Sequence, residues 1–316
     1  MTQFDTIRKQ TQRPLLAKVL ILLGITLLFM ATGSGIGLVL FDSMAGVSFA
    51  TFQASPNHYP QAWYATMVLQ MLSTPLPFIG ASLFYWIVVE KQSPATLSFQ
   101  TTDLAMLGVV AFLVVGFMPL DGLFIEWNKN IQFPESLKAL ENWMQKSEEA
   151  AADLTKFLTV FNSPTRFIVG LIVVAIAAGA SEELLFRGVL QNILYKTWNN
   201  PHVAIWVAAF WFSFIHFQFY GFVPRMLLGA MFGYIYYWTK NLWLSMFAHF
   251  VNNGFTLLMV YLYQIKWTKT DIEKVDDVSW QGALSSLLIT IVLTAWIYKR
   301  SQNQKIDKYE GLEKDI

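Results

Sequence analysis

Three short patterns put proton-transfer chemistry into stretches that are otherwise apolar: Ser181-Glu182-Glu183-Leu184-Leu185-Phe186-Arg187, Phe212-Ser213-Phe214-Ile215-His216 and His249-Phe250-Val251-Asn252-Asn253. Carboxylates and imidazoles take and give protons near neutral pH, and imidazole or amide N–H groups can stabilise an oxyanion. The spacing separates their roles. Glu183 and Arg187 are i,i+4 neighbours on one helical face and can pair. Glu182 points about 100° away and is left available. His249 and Asn253 are again i,i+4, so two hydrogen-bonding side chains share a face. A single histidine in an apolar span is more often a packing residue. Two of them, with Asn253 and an unpaired carboxylate, make coincidence a poor explanation. The other two histidines, His58 and His202, flank loops.

The elements that must carry these residues are membrane helices. Of the 316 residues 55% are apolar and only 14% charged, against about 25% charged in a soluble chain, and mean hydropathy is +0.43. The hydrocarbon core is about 30 Å thick and needs roughly 20 apolar residues. Eight stretches qualify: 19–41, 62–89, 104–125, 167–186, 203–219, 222–238, 242–263 and 283–298. The expected fold is an all-α, polytopic membrane helix bundle of about eight transmembrane helices. Basic residues before the first stretch, with small residues at 31–33, also suit a signal peptide, but seven further spans favour an uncut anchor. Three charges within 181–187 facing lipid would cost about 2.5–3.5 kcal/mol each, so Glu182, Glu183 and Arg187 must face the bundle interior or water. The twelve Trp and twelve Tyr suit two membrane interfaces. A net charge of +1 gives no attraction to nucleic acid, and the absence of cysteine removes a thiolate nucleophile and a sulfur-ligated metal.

Lys and Arg near the span ends place both termini on the cytoplasmic side of a plasma (inner) membrane, with 42–61, 127–166 and 264–280 external. Residues 1–18 read as a cytoplasmic N-terminal segment, 19–298 as the bundle, and 299–316, charged and aperiodic, as a disordered cytoplasmic tail. Leu137, Leu140, Met144, Ser147, Ala151, Leu154 and Leu158 recur at helical spacing within 127–166, which predicts an external amphipathic helix resting on the bundle or the membrane surface.

Glu-Glu-x-x-x-Arg, Phe-x-x-x-His and His-x-x-x-Asn, in that order on three hydrophobic stretches, resemble the CPBP family, the CAAX proteases and bacteriocin-processing enzymes. The matching residues are Glu182, Glu183 and Arg187, Phe212 and His216, and His249 and Asn253. The resemblance covers roughly residues 165–260. It implies an intramembrane endopeptidase of the type II CAAX prenyl protease kind, acting on a peptide or a membrane-associated or lipidated protein.

Glu182, desolvated in the bundle, is the expected base toward water, with His216 holding and polarising that water. His249 and Asn253 would donate to the oxyanion, and Glu183 and Arg187 would support them from behind. No cofactor is favoured. The metal version of the same protease would bind zinc through Glu182, His216 and His249, with Glu183 as base. A rival of another class is a non-catalytic binding or transport protein, since buried Glu, His and Arg also mark ion paths. The chain, however, shows no inverted repeat. A degenerate relative kept as a scaffold is a further rival, against which the intact motifs argue. Geometrically, a turn is expected at Asn199-Asn200-Pro201 and helix over 188–200 beyond the hydrocarbon core. The site should open toward the cytoplasmic half. Glu182, His216, His249 and Asn253 should meet in one cavity, with His249 within about 12 Å of Glu182.

Overall fold

The computed structural model describes residues 13–270 and 279–314. Residues 1–12 of the expected N-terminal segment and 271–278 of the third external segment lie outside the described residues. Every regular element among the described residues is helical, as a polytopic membrane bundle requires, because a chain in lipid must satisfy its backbone groups within itself.

Helix α1 spans Leu15–Ala45 and α2 spans Pro60–Val89. Most of α1 is exposed, with Leu20, Leu23 and Leu27 each more than half so, which is how a helix apolar all round sits against lipid. Helix α2 is interrupted where Thr74, at φ −134° and ψ −67°, precedes Pro75, since proline removes a backbone donor and pushes the preceding residue out of the helical region. Helix α3, Leu104–Lys129, starts at Asp103, whose carboxylate accepts from the Met106 N–H. The amphipathic helix α4, Lys138–Leu158, forms as its pattern predicts. Met144, Phe157 and Leu158 are buried, while Leu140, Trp143 and Leu154 stay exposed.

The centre of the bundle is α5, Pro164–Trp198, 35 residues long and about 52 Å at 1.5 Å per residue. Every residue over 181–194 is buried, so this half of the helix is enclosed on all sides, while Ile168, Ile172 and Ile176 in its first half are exposed. Its winding widens to π geometry over Leu171–Ala177 and Leu184–Gln191, on either side of the glutamate pair. Helix continues without a break through Trp198. Asn199, at φ 53°, then turns the chain left-handed, and Asn200 caps α6 by accepting from the His202 and Val203 N–H groups. The hairpin therefore forms at the Asn-Asn-Pro breaker.

Helices α6 (Pro201–Phe214), α7 (Phe222–Thr239) and α8 (Leu242–Gln264) follow, then α9, Trp280–Lys314. Among the described residues five helices are long and apolar enough to cross a membrane: α1, α2, α3, α5 and α9 over Trp280–Asn303. The other three of the eight expected stretches are α6, α7 and α8, which carry site residues and are shorter or more polar.

Two expectations are corrected. The stretch 203–219 is not one helix: α6 ends at Phe214, and His216 sits in the following turn beside Phe217 at φ 52°. The charged segment from 299 is not irregular either, because α9 continues as helix to Lys314. Helical residues in this tail need no amphipathic face to extend a helix already nucleated within the bundle.

Candidate active site

Glu183 is the hub of the site. Its Oε1 accepts from Arg187 Nη1, one turn further along α5, and from His249 Nδ1 on α8 at 2.9 Å. Its Oε2 accepts from the Ser245 hydroxyl, one turn before His249. Glu183 and Arg187 are essentially inaccessible, at 0% and 1% exposure. A charge so deeply buried persists only when paired and hydrogen-bonded. Arg187 meets that condition by donating Nη2 to the Gly229 carbonyl at 2.8 Å and lying against the Phe212 ring, 4.5 Å from its centroid.

Glycine at 229 is what allows this approach. A Cβ there would stand 3.2 Å from Arg187 Nη2, 3.0 Å from Phe212 Cδ1 and 3.3 Å from Ala209 Cα. Four residues on, Gln191 donates to the Gly233 carbonyl at 3.1 Å. The pairing of α5 with α7 is thus a ladder of long polar side chains reaching glycine carbonyls.

Glu182 is placed differently. Its Oε2 is buried and has no hydrogen-bond partner, yet His249 Nε2 lies 3.7 Å away and His216 Nε2 3.9 Å away. Those separations are too long for direct hydrogen bonds and leave the three groups facing one point. The histidine tautomers follow from their other edges. His216 Nδ1 is 2.7 Å from the Phe212 carbonyl, which can only accept, so Nδ1 carries the proton. His249 Nδ1 faces the Glu183 carboxylate and is a donor for the same reason. In the neutral rings both Nε2 atoms are therefore acceptors turned toward Glu182. Stacking of His249 on Phe232, at 5.2 Å, and the close approach of Gly179 hold that ring in place.

The structure thus brings together Glu182, His216 and His249, and it pairs Glu183 with Arg187. Asn253 does not join them in the same way. Its Nδ2 donates to the Val174 carbonyl at 3.1 Å, and its Oδ1 accepts from Asn252. The wide winding over Leu171–Ala177 frees backbone carbonyls of this kind from the regular helical ladder, and Asn253 meets one of them.

Sequence reasoning missed Ser245, Gly229 and Gly233. The first was detectable, since Ser245, His249 and Asn253 recur every four residues on one face of α8. The glycines form a small-xxx-small pair, a known device for close helix approach in membranes. Among the described residues no group of three or more His, Cys, Asp or Glu side chains is arranged to hold a metal ion.

No solved structure matches the chain. A Bacillus subtilis protein named YpbD and described as uncharacterized is 29% identical over 116 residues, which cover 35% of this chain and 54% of that protein. The chain thus matches about half the length of that curated relative. The family model described as type II CAAX prenyl endopeptidase Rce1-like matches residues 164–255, a stretch that begins with α5 and contains Glu182, Glu183, Arg187, His216, His249 and Asn253.

Proposed function

We propose that this protein is an intramembrane endopeptidase that hydrolyses a peptide bond of a membrane-associated or lipidated substrate by a glutamate-activated water. The observation that carries the reading is the unpartnered Glu182 Oε2 facing two imidazole Nε2 atoms at 3.7 and 3.9 Å. A water among these three groups donates one proton toward Glu182 and the other toward His216 Nε2. Glu182 takes the first proton, and the hydroxide adds to the scissile carbonyl carbon. The oxyanion is met from the α8 side by His249 in its imidazolium form, the second proton taken up from solvent before the substrate binds: Nδ1–H stays on Glu183 and Nε2–H donates to the oxyanion. Asn253 assists there through the amide N–H not given to Val174. Collapse of the tetrahedral intermediate breaks the C–N bond, and the proton held by Glu182 passes to the leaving amine. Glu183 and Arg187 touch none of the reacting atoms; they hold His249 in its orientation and tautomer.

The metal version of this site fits the arrangement less well. It requires Glu183 as the free base, and both Glu183 oxygens are already occupied by Arg187, His249 and Ser245. A transport role is disfavoured by the same arrangement, because the polar groups converge on one point beside α5 and do not line a path.

We place both termini on the cytoplasmic side of the plasma membrane. On that orientation the turn carrying His216 lies at the end of α6 opposite the cytoplasmic hairpin, the end on which α4 packs. Hydrolysis of a farnesylated peptide and its unprenylated counterpart by the purified protein tests the activity. Cleavage should fall at least about 100-fold in Glu182→Ala while the variant keeps its melting temperature. Undiminished cleavage by a folded Glu182→Ala protein would remove Glu182 from the mechanism.

A further inference from the structure

His216 stands just past the end of α6, tied back to it through its N–H on the Ser213 carbonyl and its ring on the Phe212 carbonyl, so the hold on the chain that follows it bears on its distance to Glu182. The turn at 215–221 contains Phe217 at φ 52°, a left-handed conformation that a bulky side chain keeps only when its surroundings enforce it. Phe217 is itself 50% exposed, and its one ring contact among the described residues, with Phe214 at 5.9 Å, leaves most of that enforcement to hydrogen bonds.

Across the turn the buried Ser213 hydroxyl donates to the Phe222 carbonyl at 2.6 Å, tying the end of α6 to the start of α7; from outside it, the anchor is on α3. Asn128, buried at 5% exposure near the end of that helix, spans the turn with both ends of its amide. Nδ2 donates to the Phe219 carbonyl at 2.9 Å, and Oδ1 accepts from the Val223 N–H at 3.0 Å. The two contacts join the last part of the turn to the first turn of α7. Arg225 adds a hold on Gln218 through its carbonyl and its side-chain oxygen. From the other side Glu148 of α4 accepts from the Tyr220 N–H at 3.3 Å. Of these anchors, Asn128 alone uses its donor and its acceptor on separate residues of the segment.

We propose that Asn128 is a positioning residue for His216: by clamping 219–223 it holds the turn so that His216 Nε2 faces Glu182. The proposal rests on the peptidase reading for its catalytic consequence, but the clamp can be measured without it. Asn128→Ala deletes both contacts. Asn128→Ser is the milder change, keeping one hydroxyl that is too short to span both partners and placing no charge in the buried site. If Asn128→Ala fails to fold, Asn128→Ser still carries the test.

Two measurements decide the matter. The first is kcat and KM on the farnesylated peptide: both variants should lose about 10- to 100-fold in kcat, the scale of a misplacement near 1 Å, with KM changed less than about twofold. The second is the electron paramagnetic resonance line shape of a nitroxide at Phe217→Cys, the only cysteine in such a chain. The spectrum should sharpen in both variants as the turn gains nanosecond mobility. Wild-type kcat in both variants, or an unchanged nitroxide spectrum in both, overturns the proposal. If the wild-type protein cleaves neither peptide, the peptidase reading fails. The nitroxide then still rules on the clamp, for it if the spectrum sharpens and against it if it does not.

Discussion

His249 Nδ1 lies 2.9 Å from Glu183 Oε1, which leaves the opposite edge of the same ring, Nε2, for the neighbouring glutamate 3.7 Å away. One imidazole thus reads two consecutive carboxylates on α5, one saturated with partners and one free. Helical geometry separates the two glutamates by about 100°, and a five-membered ring wedged beside the helix is wide enough to meet both. The division of labour between Glu182 and Glu183 is a consequence of that wedge.

Because Glu183 and Arg187 are both fully buried, removing one partner strands the other. Glu183→Gln and Arg187→Met are each expected to destabilise by about 3–5 kcal/mol, and the double variant by less than the sum of the two. Thermal unfolding in detergent of the four proteins of this cycle measures it. Additive losses would mean that the pair is not coupled as the structure shows.

Gly229→Ala should lower both stability and activity. The added methyl meets the Ala209 backbone at 3.3 Å as well as Phe212 and Arg187, so the α6–α7 contact must open. A cost of about 1–3 kcal/mol is expected for such overpacking. Displacement of Arg187 should also reduce kcat more than KM changes. A melting curve and rates on the farnesylated peptide check both parts; unchanged values in each would show that the glycine is not needed for close approach.

Activity is expected to survive exhaustive chelation, and elemental analysis of the purified protein should find well under one zinc per chain. Loss of cleavage on chelation, restored by zinc and by no other treatment, would replace the glutamate mechanism with the metal one.

The proposed orientation is open to a labelling test that needs no removal of native thiols, since the chain has no cysteine. A cysteine at Lys146, on α4, should react with an impermeant maleimide from outside intact cells, and one at Lys196, near the hairpin end of α5, only after the membrane is broken. The reverse pattern would invert the topology and turn the α4 face toward the cytoplasm.

Local chemistry was enough to determine much of this protein. A chain with 55% apolar and only 14% charged residues has too few polar groups to cover its helices in water, against about 25% charged in a soluble chain. Asn-Asn-Pro ends one helix and starts the next through its own backbone preferences. The Glu183–Arg187 pair follows from i,i+4 spacing, and the stripe along α4 follows from helical periodicity. What remained was decided by contacts between residues far apart in the chain. Apolar hydropathy continues past Phe214, so nothing in composition marks where α6 stops. The stop becomes visible only with Asn128, which binds Val223 from 95 positions away. His249 finds Glu183 across 66 positions. Asn253, whose spacing from His249 puts it on the same face, gives one amide N–H to the Val174 carbonyl, 79 positions away on the widely wound part of α5. Spacing within one helix determines which side chains share a face. Which atom of another helix that face meets depends on the register and tilt of packed helices, set jointly by all their side chains.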